Sequence, residues 1–177
     1  MPLKITFVTH STTLDNESKL ASGWNDVKLS DLEKQQAMEL GERQKNEHYD
    51  VIFTSDLSRA IDTATIAFKG RQIPILTDKR LRECDYGDLT CYPNSIVEPE
   101  KINRLHTPFA NGESYIQTNA RMKSFLEDLK QKYPNGKVLI IGHRATHYAL
   151  DYFLKNIPME TLLSRKFIWQ QAFNYEI

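Results

Sequence analysis

Two histidines each follow directly on a run of residues that is typical of a buried β-strand. His10 comes after the run 5–9, and His143 comes after the run 138–142. In a parallel sheet the carboxyl ends of the strands share one edge, so we expect the two imidazoles to meet in one crevice. Arg59 lies in the first turn of a predicted helix that follows a third strand-like run. Two imidazoles and a guanidinium make a donor-rich site that suits the oxygens of a phosphate group.

A metal site is the main alternative for the histidines. His143 and His147 are four residues apart, which is the spacing of the histidine pair in a zinc-protease helix. That motif needs a Glu directly after the first His, but Arg144 occupies this position and would place a cation beside the metal. The sequence shows no obvious third ligand. We therefore expect neither a metal nor another cofactor.

The composition is that of an ordinary globular protein. The chain has 177 residues, of which 40% are hydrophobic and 26% are charged. This length suits one domain that spans 1–177. The 23 basic residues equal the 23 acidic residues in number. This balance argues against nucleic acid or a membrane surface as the main partner, because such binders carry a surplus of Lys and Arg.

The sequence favours a cytoplasmic location. The apolar run at the N-terminus is too short for a signal peptide and is interrupted by Lys4 and Thr6. No stretch of the sequence approaches the length of a membrane span. The two cysteines, Cys84 and Cys91, do not make a disulfide framework, so we expect them to be reduced.

The elements that position the candidate side chains alternate between strands and helices. Strand-like runs cover 4–8, 49–54, 73–76, 137–142 and 172–177. Apolar residues at helical spacing cover 30–41, 57–68, 112–133 and a segment that follows His143. The segment 78–110 between them is loop-rich, as functional lids often are. This order predicts an α/β fold, namely a three-layer α/β/α sandwich with a mostly parallel central sheet.

Five short motifs stand in order along these elements. They read THSTTLDN at 9–16, SDLSRAIDTA at 55–64, LRECDYGD at 81–88, GES at 112–114 and VLIIGH at 138–143. Together they resemble the signatures of the histidine phosphatase superfamily, in its phosphoglycerate-mutase-like branch. The resemblance spans nearly the whole chain at compatible spacings, and it implies the phosphoglycerate-mutase-like fold.

The resemblance implies a role for each matching residue. His10 would be the nucleophile that attacks phosphorus and becomes a phosphohistidine, which requires a neutral imidazole. Arg59 and His143 would hold the equatorial oxygens of the phosphoryl group. Glu83 would protonate the leaving oxygen and then activate the water that hydrolyses the phosphoenzyme. Two further polar residues would line the same pocket, Thr13 and Asn16.

Two positions in the first motif depart from the family pattern. Thr9 stands where the family has an arginine, and Ser11 stands where it has a glycine. Losing one well-placed transition-state donor typically costs on the order of 10²–10³ in rate, so a weakened activity is expected. Ser11 adds a side chain where the backbone approaches the phosphate, although its hydroxyl can also donate a hydrogen bond.

Arg144 offers a compensation for the missing arginine. The family usually has a glycine directly after the second histidine, and Arg144 at this position lies on the same edge of the sheet. One hypothesis places its guanidinium in the space beside Thr9, where it would bind phosphate. The alternative leaves Arg144 in solvent or paired with an acid such as Asp151. Arg82 is a second candidate for the same space.

Two functions from different classes fit these residues. The first is a phosphatase that hydrolyses a small phosphomonoester, as a monomer or a homodimer. The short chain favours hydrolysis over the transfer that mutases catalyse. The second is a degenerate family member that binds a phosphorylated ligand or a partner protein with little or no catalysis. Three basic residues of the loop-rich segment are expected to be solvated surface rather than contacts to a second anion: Lys101, Arg104 and His106.

Overall fold

A five-stranded sheet forms the centre of the protein. The computed structural model describes residues 2–177. The strands are Lys4–Thr9 (β1), Val51–Thr54 (β2), Ile75–Thr77 (β3), Lys137–Gly142 (β4) and Phe173–Glu176 (β5). Their order is β3-β2-β4-β1-β5, and every pair is parallel except β1 and β5. The predicted mostly parallel sheet with a final edge strand is confirmed.

Helices cover both faces of this sheet. They are Leu14–Glu17 (α1), Asp31–Arg43 (α2), Ser58–Ala67 (α3), Asn94–Glu100 (α4), Tyr115–Lys132 (α5), Arg144–Lys155 (α6) and Met159–Ser164 (α7). One apolar core joins the sheet to α5 and α6, and another joins it to α2 and α3. The predicted three-layer α/β/α arrangement is therefore confirmed.

The central strand β4 shows why the pattern of apolar residues predicts the sheet. Val138 and Ile140 pack in the core on the side of α5 and α6, whereas Leu139 and Ile141 pack on the side of α2 and α3. The strand is paired on both edges, with β1 and with β2. A strand that is covered on both faces requires a continuous apolar run rather than an alternating one.

Three short helices lie where the sequence shows no helical period. Helices α1, α4 and α7 have four, seven and six residues, which is too short for a periodic pattern to emerge. Helix α4 lies within the segment predicted as loop-rich and contains Pro99. Val97, Leu105 and Phe109 anchor this segment in a third apolar core. The segment is thus packed structure rather than an irregular loop.

Capping boxes set the starts of two long helices. At α2, Ser30 and Glu33 form the predicted pair. At α5 the pair is Ser114 and Gln117, and each side chain accepts a hydrogen bond from the backbone N–H of the other residue. Helix α5 therefore begins at Tyr115, slightly later than the predicted start near position 112.

His147 on α6 is a buried histidine that packs among aromatic rings, with its Nε2 3.7 Å from the carboxylate of Asp151. Its ring centroid lies 5.6 Å from that of Phe7, 5.6 Å from that of Phe167 and 4.0 Å from that of Phe173. Neither ring nitrogen has a hydrogen-bond partner within residues 2–177. Burial lowers the pKa of His147 to about 4, although the carboxylate of Asp151 opposes the shift. The unfolded chain binds more protons between this pKa and 6.5, so stability should rise with pH across that window.

We expect His147→Phe to flatten this part of the stability profile. Phenylalanine has a similar ring and no titrating group. Across this pH window the free energy of unfolding of the wild type should rise. The free energy of unfolding of the variant should rise by on the order of 1–3 kcal/mol less. Urea denaturation at a series of pH values measures the difference, with His48→Phe at an exposed histidine as the control. Parallel profiles for wild type and His147→Phe would contradict the expectation.

Candidate active site

The carboxyl ends of three adjacent strands bring the predicted residues together. β4 lies between β1 and β2, so His143 after β4 is next to His10 after β1. The backbone N–H of His10 donates to the carbonyl of Gly142 (3.0 Å), and the centroids of the two imidazoles are 5.0 Å apart. Arg59 enters from the first turn of α3, after β2. His10, Arg59 and His143 line one cavity of about 630 Å³.

His10 is held as a neutral imidazole with one nitrogen fixed. Its Nδ1 lies 2.6 Å from the carbonyl oxygen of Ser11, which can only accept, so Nδ1 carries the proton. This leaves Nε2 with its lone pair for attack. Burial and the nearby Arg59 guanidinium lower the pKa of His10 to about 3, although the hydrogen bond to Ser11 opposes the shift. The ring is therefore uncharged at neutral pH, with Nε2 free of a proton, as a nucleophile must be.

Whereas His10 is held through its Nδ1, His143 is held through its Nε2. Its Nε2 lies 2.6 Å from the hydroxyl of Ser55, the residue that follows β2. Its Nδ1 is buried without a hydrogen-bond partner in the described part of the chain. Burial, followed by the charges of Arg59 and His10, holds the pKa of His143 well below its usual value. Because the Ser55 hydroxyl can donate to Nε2 or accept from it, either nitrogen can carry the proton of the neutral ring.

Arg59 is a buried cation whose position depends on a glycine. Nη1 donates to the carbonyl of Asn25 (2.8 Å), and Nη2 donates to that of Gly23 (2.7 Å). Gly23 has a φ of +51°, and a Cβ there would lie 3.1 Å from the Tyr86 ring, so another residue would be strained. The Nε of Arg59 is buried with no partner among the described residues. The buried Arg59 cation and two buried nitrogens without partners, Arg59 Nε and His143 Nδ1, make this a site for an anion.

Glu83 lines the same cavity from the loop after β3. One of its carboxylate oxygens accepts a hydrogen bond from the backbone N–H of Cys84 (2.8 Å). Its backbone carbonyl accepts another from Nε1 of Trp24 (2.7 Å). Glu83 is only 8% exposed, so the carboxyl group is held in the cavity wall. A carboxyl group in this place can exchange a proton with an oxygen of the substrate.

Arg121 on α5 ties the Glu83 loop to the body of the protein. Its guanidinium donates to the backbone carbonyls of Arg80 (2.6 Å), Arg82 (2.8 Å) and Glu83 (2.8 Å). It also donates to both carboxylate oxygens of Glu113, at 3.0 and 2.9 Å. These hydrogen bonds use all of the guanidinium nitrogens of Arg121, namely Nε, Nη1 and Nη2. Nothing in the sequence distinguishes Arg121 from an ordinary arginine on a helix, and sequence reasoning missed it.

Under the phosphatase function expected from the sequence, Arg121→Met should reduce both stability and turnover. The change removes the donor from three carbonyls and from the Glu113 carboxylate, so a loss of about 3–5 kcal/mol in the free energy of unfolding is expected in urea. The kcat should fall more than KM rises, because Glu83 shifts while the phosphate-binding groups stay in place. Lys123→Met is the control, since Lys123 lies on the same helix with a side-chain exposure of 65%. A wild-type kcat in Arg121→Met would contradict the positioning role.

Hydroxyl groups occupy the two positions that depart from the family pattern. The hydroxyl of Thr9 accepts a hydrogen bond from Nε1 of Trp169 (3.2 Å). The backbone N–H of Ser11 donates to the hydroxyl of Thr63 (3.0 Å), which donates in turn to the carbonyl of Arg59 (2.7 Å). Both Thr9 and Ser11 line the cavity. An indole thus stands beside Thr9, which nothing in the sequence indicates.

Asn16 lines the cavity, whereas Thr13 is fully buried. The backbone N–H and the hydroxyl of Thr13 both lie 3.0 Å from Oδ1 of Asn16. The hydroxyl of Thr13 also accepts a hydrogen bond from the backbone N–H of Asn16 (3.3 Å), as the cap of α1. Thr13 therefore orients Asn16 and does not itself line the cavity.

Arg144 lines the cavity, but its partner is an acid that the sequence did not single out. Nη1 donates to Glu98 (2.6 Å), and the guanidinium lies 5.3 Å from the centroid of the Phe167 ring. The predicted partner Asp151 pairs with Lys155 instead (3.0 Å). Arg144 is therefore paired with an acid, as the alternative to the compensation hypothesis has it, but the acid is Glu98 rather than Asp151, because Arg144 and Asp151 are about two turns apart on α6.

Arg82 is held at a different place from the one beside Thr9. Its guanidinium donates to both carboxylate oxygens of Asp56, at 2.6 and 2.7 Å. It also lies 4.6 Å from the centroid of the Trp24 ring. Arg82 therefore does not take the place of the missing arginine.

Lys101 is buried in the cavity wall, which corrects the prediction that it is solvated surface. It is 3% exposed, and its Nζ lies 2.8 Å from Glu98. Arg104 pairs with Glu100 (2.9 Å) and is half-buried, and His106 is the exposed one of the three basic residues. Helix α4 and the turn that follows it decide which of these side chains points inward. The sequence does not reveal this helix and turn, because neither has a periodic pattern of apolar residues.

The structure also bears on metals, membranes and thiols. No group of three or more His, Cys, Asp or Glu side chains within residues 2–177 is placed to hold a metal ion. Over the same residues, no helix is long and apolar enough to cross a membrane. Cys84 is a buried free thiol and Cys91 an exposed one.

The motifs and this geometry match one protein family. The profile of the histidine phosphatase superfamily (branch 1) matches residues 5–172. The chain belongs to this superfamily. The matched range includes all five motifs and every candidate site residue, so the histidine phosphatase resemblance seen in the sequence is confirmed.

Relatives of this histidine phosphatase superfamily member include both phosphatases and mutases. The chain is 33% identical over 146 residues to the uncharacterized phosphatase PhoE of Bacillus subtilis, covering 82% of this chain and 74% of the relative. It is 31% identical over 175 residues to the 2,3-bisphosphoglycerate-dependent phosphoglycerate mutase of Cytophaga hutchinsonii, covering 92% and 81%. Among solved structures, YhfR of Bacillus stearothermophilus has a TM-score of 0.85 at 26% identity, covering 97% of this chain and 90% of that one. The phosphoglycerate-mutase-like fold is thereby confirmed.

Proposed function

We propose that this protein is a phosphatase that hydrolyses a small phosphomonoester through a phosphohistidine on His10. The observation that carries the proposal is the arrangement of one cavity: a neutral His10 lies beside two buried side-chain nitrogens that lack hydrogen-bond partners among the described residues, Arg59 Nε and His143 Nδ1. Glu83 lines the same cavity and supplies a carboxyl group. These are the parts that phosphoryl transfer to a histidine needs.

The first step transfers the phosphoryl group to His10. Nε2 attacks phosphorus, and the P–N bond forms as the bond from phosphorus to the leaving oxygen breaks. Arg59 and His143 donate to the equatorial oxygens, on which negative charge is concentrated. Glu83 in its protonated form gives its proton to the leaving oxygen, so the product leaves as a neutral alcohol. The carbonyl of Ser11 stabilises the positive charge that the ring gains, because it accepts from Nδ1.

The second step hydrolyses the phosphoenzyme. Glu83, now a carboxylate, takes a proton from a water molecule whose oxygen attacks phosphorus. The P–N bond breaks, inorganic phosphate leaves, and His10 returns to its neutral form. Thr9, Ser11 and Asn16 line the cavity and offer polar groups to the phosphate.

One observation favours a second function, the binding of a phosphorylated ligand or a partner protein with little catalysis. Thr9 stands where the family has an arginine beside the nucleophile, and its hydroxyl is hydrogen-bonded to the indole of Trp169. The retained pair of His10 and Glu83 weighs against this function, because a protein that only binds phosphate needs neither a nucleophile nor an acid.

Trapping of the phosphoenzyme distinguishes the two functions. The protein is incubated with phenyl phosphate that carries the radiolabel in its phosphate group. The reaction is then quenched in alkali, the protein is digested, and the labelled peptide is identified. Phosphate release, with an acid-labile and alkali-stable label on the peptide that contains His10, would support the phosphatase. Tight binding of inorganic phosphate without turnover of several phosphomonoesters would overturn it in favour of the binding protein.

A further inference from the structure

Thr9 takes the sequence position of the family arginine, and its side chain contacts an indole. Thr9 is the last residue of β1 and directly precedes His10. Thr9 and Trp169 both line the cavity. Arg82 and Arg144, the two candidates for a replacement, are each paired with a carboxylate. A hydroxyl and an indole, rather than a second guanidinium, are therefore the groups available at this position.

The hydrogen bond between Thr9 and Trp169 leaves the Thr9 hydroxyl as a donor. The indole nitrogen of Trp169 can only donate, so the oxygen of Thr9 is the acceptor of the 3.2 Å bond. Within residues 2–177, Trp169 is the only hydrogen-bond partner of this hydroxyl. A hydroxyl that accepts one bond keeps its proton for another, and this one lies in the cavity wall. A phosphate oxygen in the cavity can accept that proton.

Trp169 affects both the strength and the direction of this donor. Each hydrogen bond in a chain polarises the next, so an O–H group whose oxygen accepts a bond donates more strongly. The indole also occupies one side of the oxygen, which restricts the directions that the proton can take. Threonine has few rotamers about χ1 because its Cβ is branched. The Thr9 hydroxyl is thus oriented before a phosphate arrives, which lowers the entropy lost on binding.

The segment between α7 and β5 fixes the position of the indole. Before Trp169, Arg165 donates to the carboxylate of the buried Asp151 (2.9 Å), and Phe167 packs against the apolar core. After Trp169, the chain enters β5 at Phe173. Trp169 is 58% exposed, so burial of its own ring does little to hold it. The two anchored ends and the bond to the Thr9 hydroxyl hold the indole at the cavity instead.

We propose that Thr9 and Trp169 together replace the family arginine: the Thr9 hydroxyl donates to a phosphate oxygen, and Trp169 orients that hydroxyl. This inference rests on the proposed phosphatase function. Thr9 is then a catalytic residue, since it touches the phosphoryl group, whereas Trp169 is a positioning residue that acts through Thr9. A hydroxyl supplies one uncharged donor, whereas a guanidinium supplies several charged ones. The pair therefore restores only part of the stabilisation that the arginine gives.

Two substitutions at Thr9 test the donor. Thr9→Val has nearly the same shape and no hydroxyl, so kcat/KM for phenyl phosphate should fall by about 10- to 100-fold. Thr9→Ser keeps the hydroxyl and loses only a methyl group, so its kcat/KM should stay within a few fold of the wild type. Equal losses in the two variants would show that the methyl group matters rather than the hydroxyl, and would overturn the donor role.

A double-mutant cycle tests the positioning role of Trp169. Trp169→Phe keeps an aromatic ring and removes the N–H, so kcat/KM should fall by about 3- to 10-fold. The same change made in Thr9→Val should have no further effect, because the hydroxyl that Trp169 orients is already absent. A general structural role of the indole would persist in Thr9→Val, so losses that multiply would overturn the inference. Ile168→Ala, at the 74% exposed neighbour on the same segment, is the control and should keep full activity.

Binding of inorganic phosphate separates failure of this inference from failure of the proposed function. Calorimetry gives the Kd for phosphate without any turnover. If no ester is turned over but the Kd rises at least about threefold in Thr9→Val and in Trp169→Phe, and no further in the double variant than in Thr9→Val, the phosphatase proposal fails and the Thr9 donor stands. If the wild type and both single variants turn over phenyl phosphate equally, the phosphatase stands and this inference fails.

Discussion

His10→Asn is expected to abolish turnover and the acid-labile phosphoenzyme together. Asparagine keeps a donor that can reach the carbonyl of Ser11, but it has no lone pair able to attack phosphorus. Removing the nucleophile of a covalent mechanism lowers kcat by on the order of 10³–10⁶. Release of phosphate from phenyl phosphate and trapping of the labelled enzyme measure the two losses.

The phosphate site itself should survive this substitution. Arg59 and His143 supply the donors that hold the phosphate, so the Kd for inorganic phosphate should change by only a few fold. His106→Asn, at an exposed histidine, is the control and should keep full turnover. A labelled phosphoenzyme in His10→Asn would show that another residue is the nucleophile and would contradict the assignment.

Glu83→Gln is expected to have an effect that depends on the leaving group. Glutamine has nearly the same shape but cannot donate an acidic proton, so kcat/KM for an alkyl phosphate should fall by about 10²–10⁴. The loss with 2,4-dinitrophenyl phosphate should be much smaller, because its leaving oxygen needs no proton. Since the same carboxyl activates water, the variant should also accumulate phosphoenzyme, visible as a burst of dinitrophenol.

Two comparisons make the Glu83 experiment decisive. Glu127→Gln, on the exposed face of α5, is the control and should behave as the wild type with both esters. Equal losses with the alkyl and the dinitrophenyl ester would show that Glu83 only supports the structure. That outcome would contradict its role as the proton donor.

The arrangement of the strands could be predicted because it depends on local patterns. β4 is buried on both faces, so its residues 138–141 are all apolar and mark a central strand without any tertiary information. Once β1 and β4 are identified, their carboxyl ends fix where His10 and His143 lie. The capping box of Ser30 and Glu33 is likewise local and marks the start of α2.

The rest of the site could not be predicted because it depends on single side chains packed from distant segments. Lys101 lies inward only because α4 and the following turn pack against the third apolar core, and this segment has no readable period. Arg121 is distinguished only by the carbonyls that it meets across the fold. Trp169 meets Thr9 across 160 positions of sequence. No short stretch of the sequence contains both partners of such a contact.

The two tryptophans of the chain give this site an optical signal of its own. The indole of Trp24 donates to the backbone of Glu83, and that of Trp169 donates to the hydroxyl of Thr9, so each adjoins a residue of the cavity. All intrinsic tryptophan fluorescence therefore originates within hydrogen-bonding distance of the cavity wall. Trp169 is 58% exposed, and its emission should respond when a ligand displaces water beside it. Ligand titrations can thus be followed in the unmodified protein, without a label or a coupled reaction.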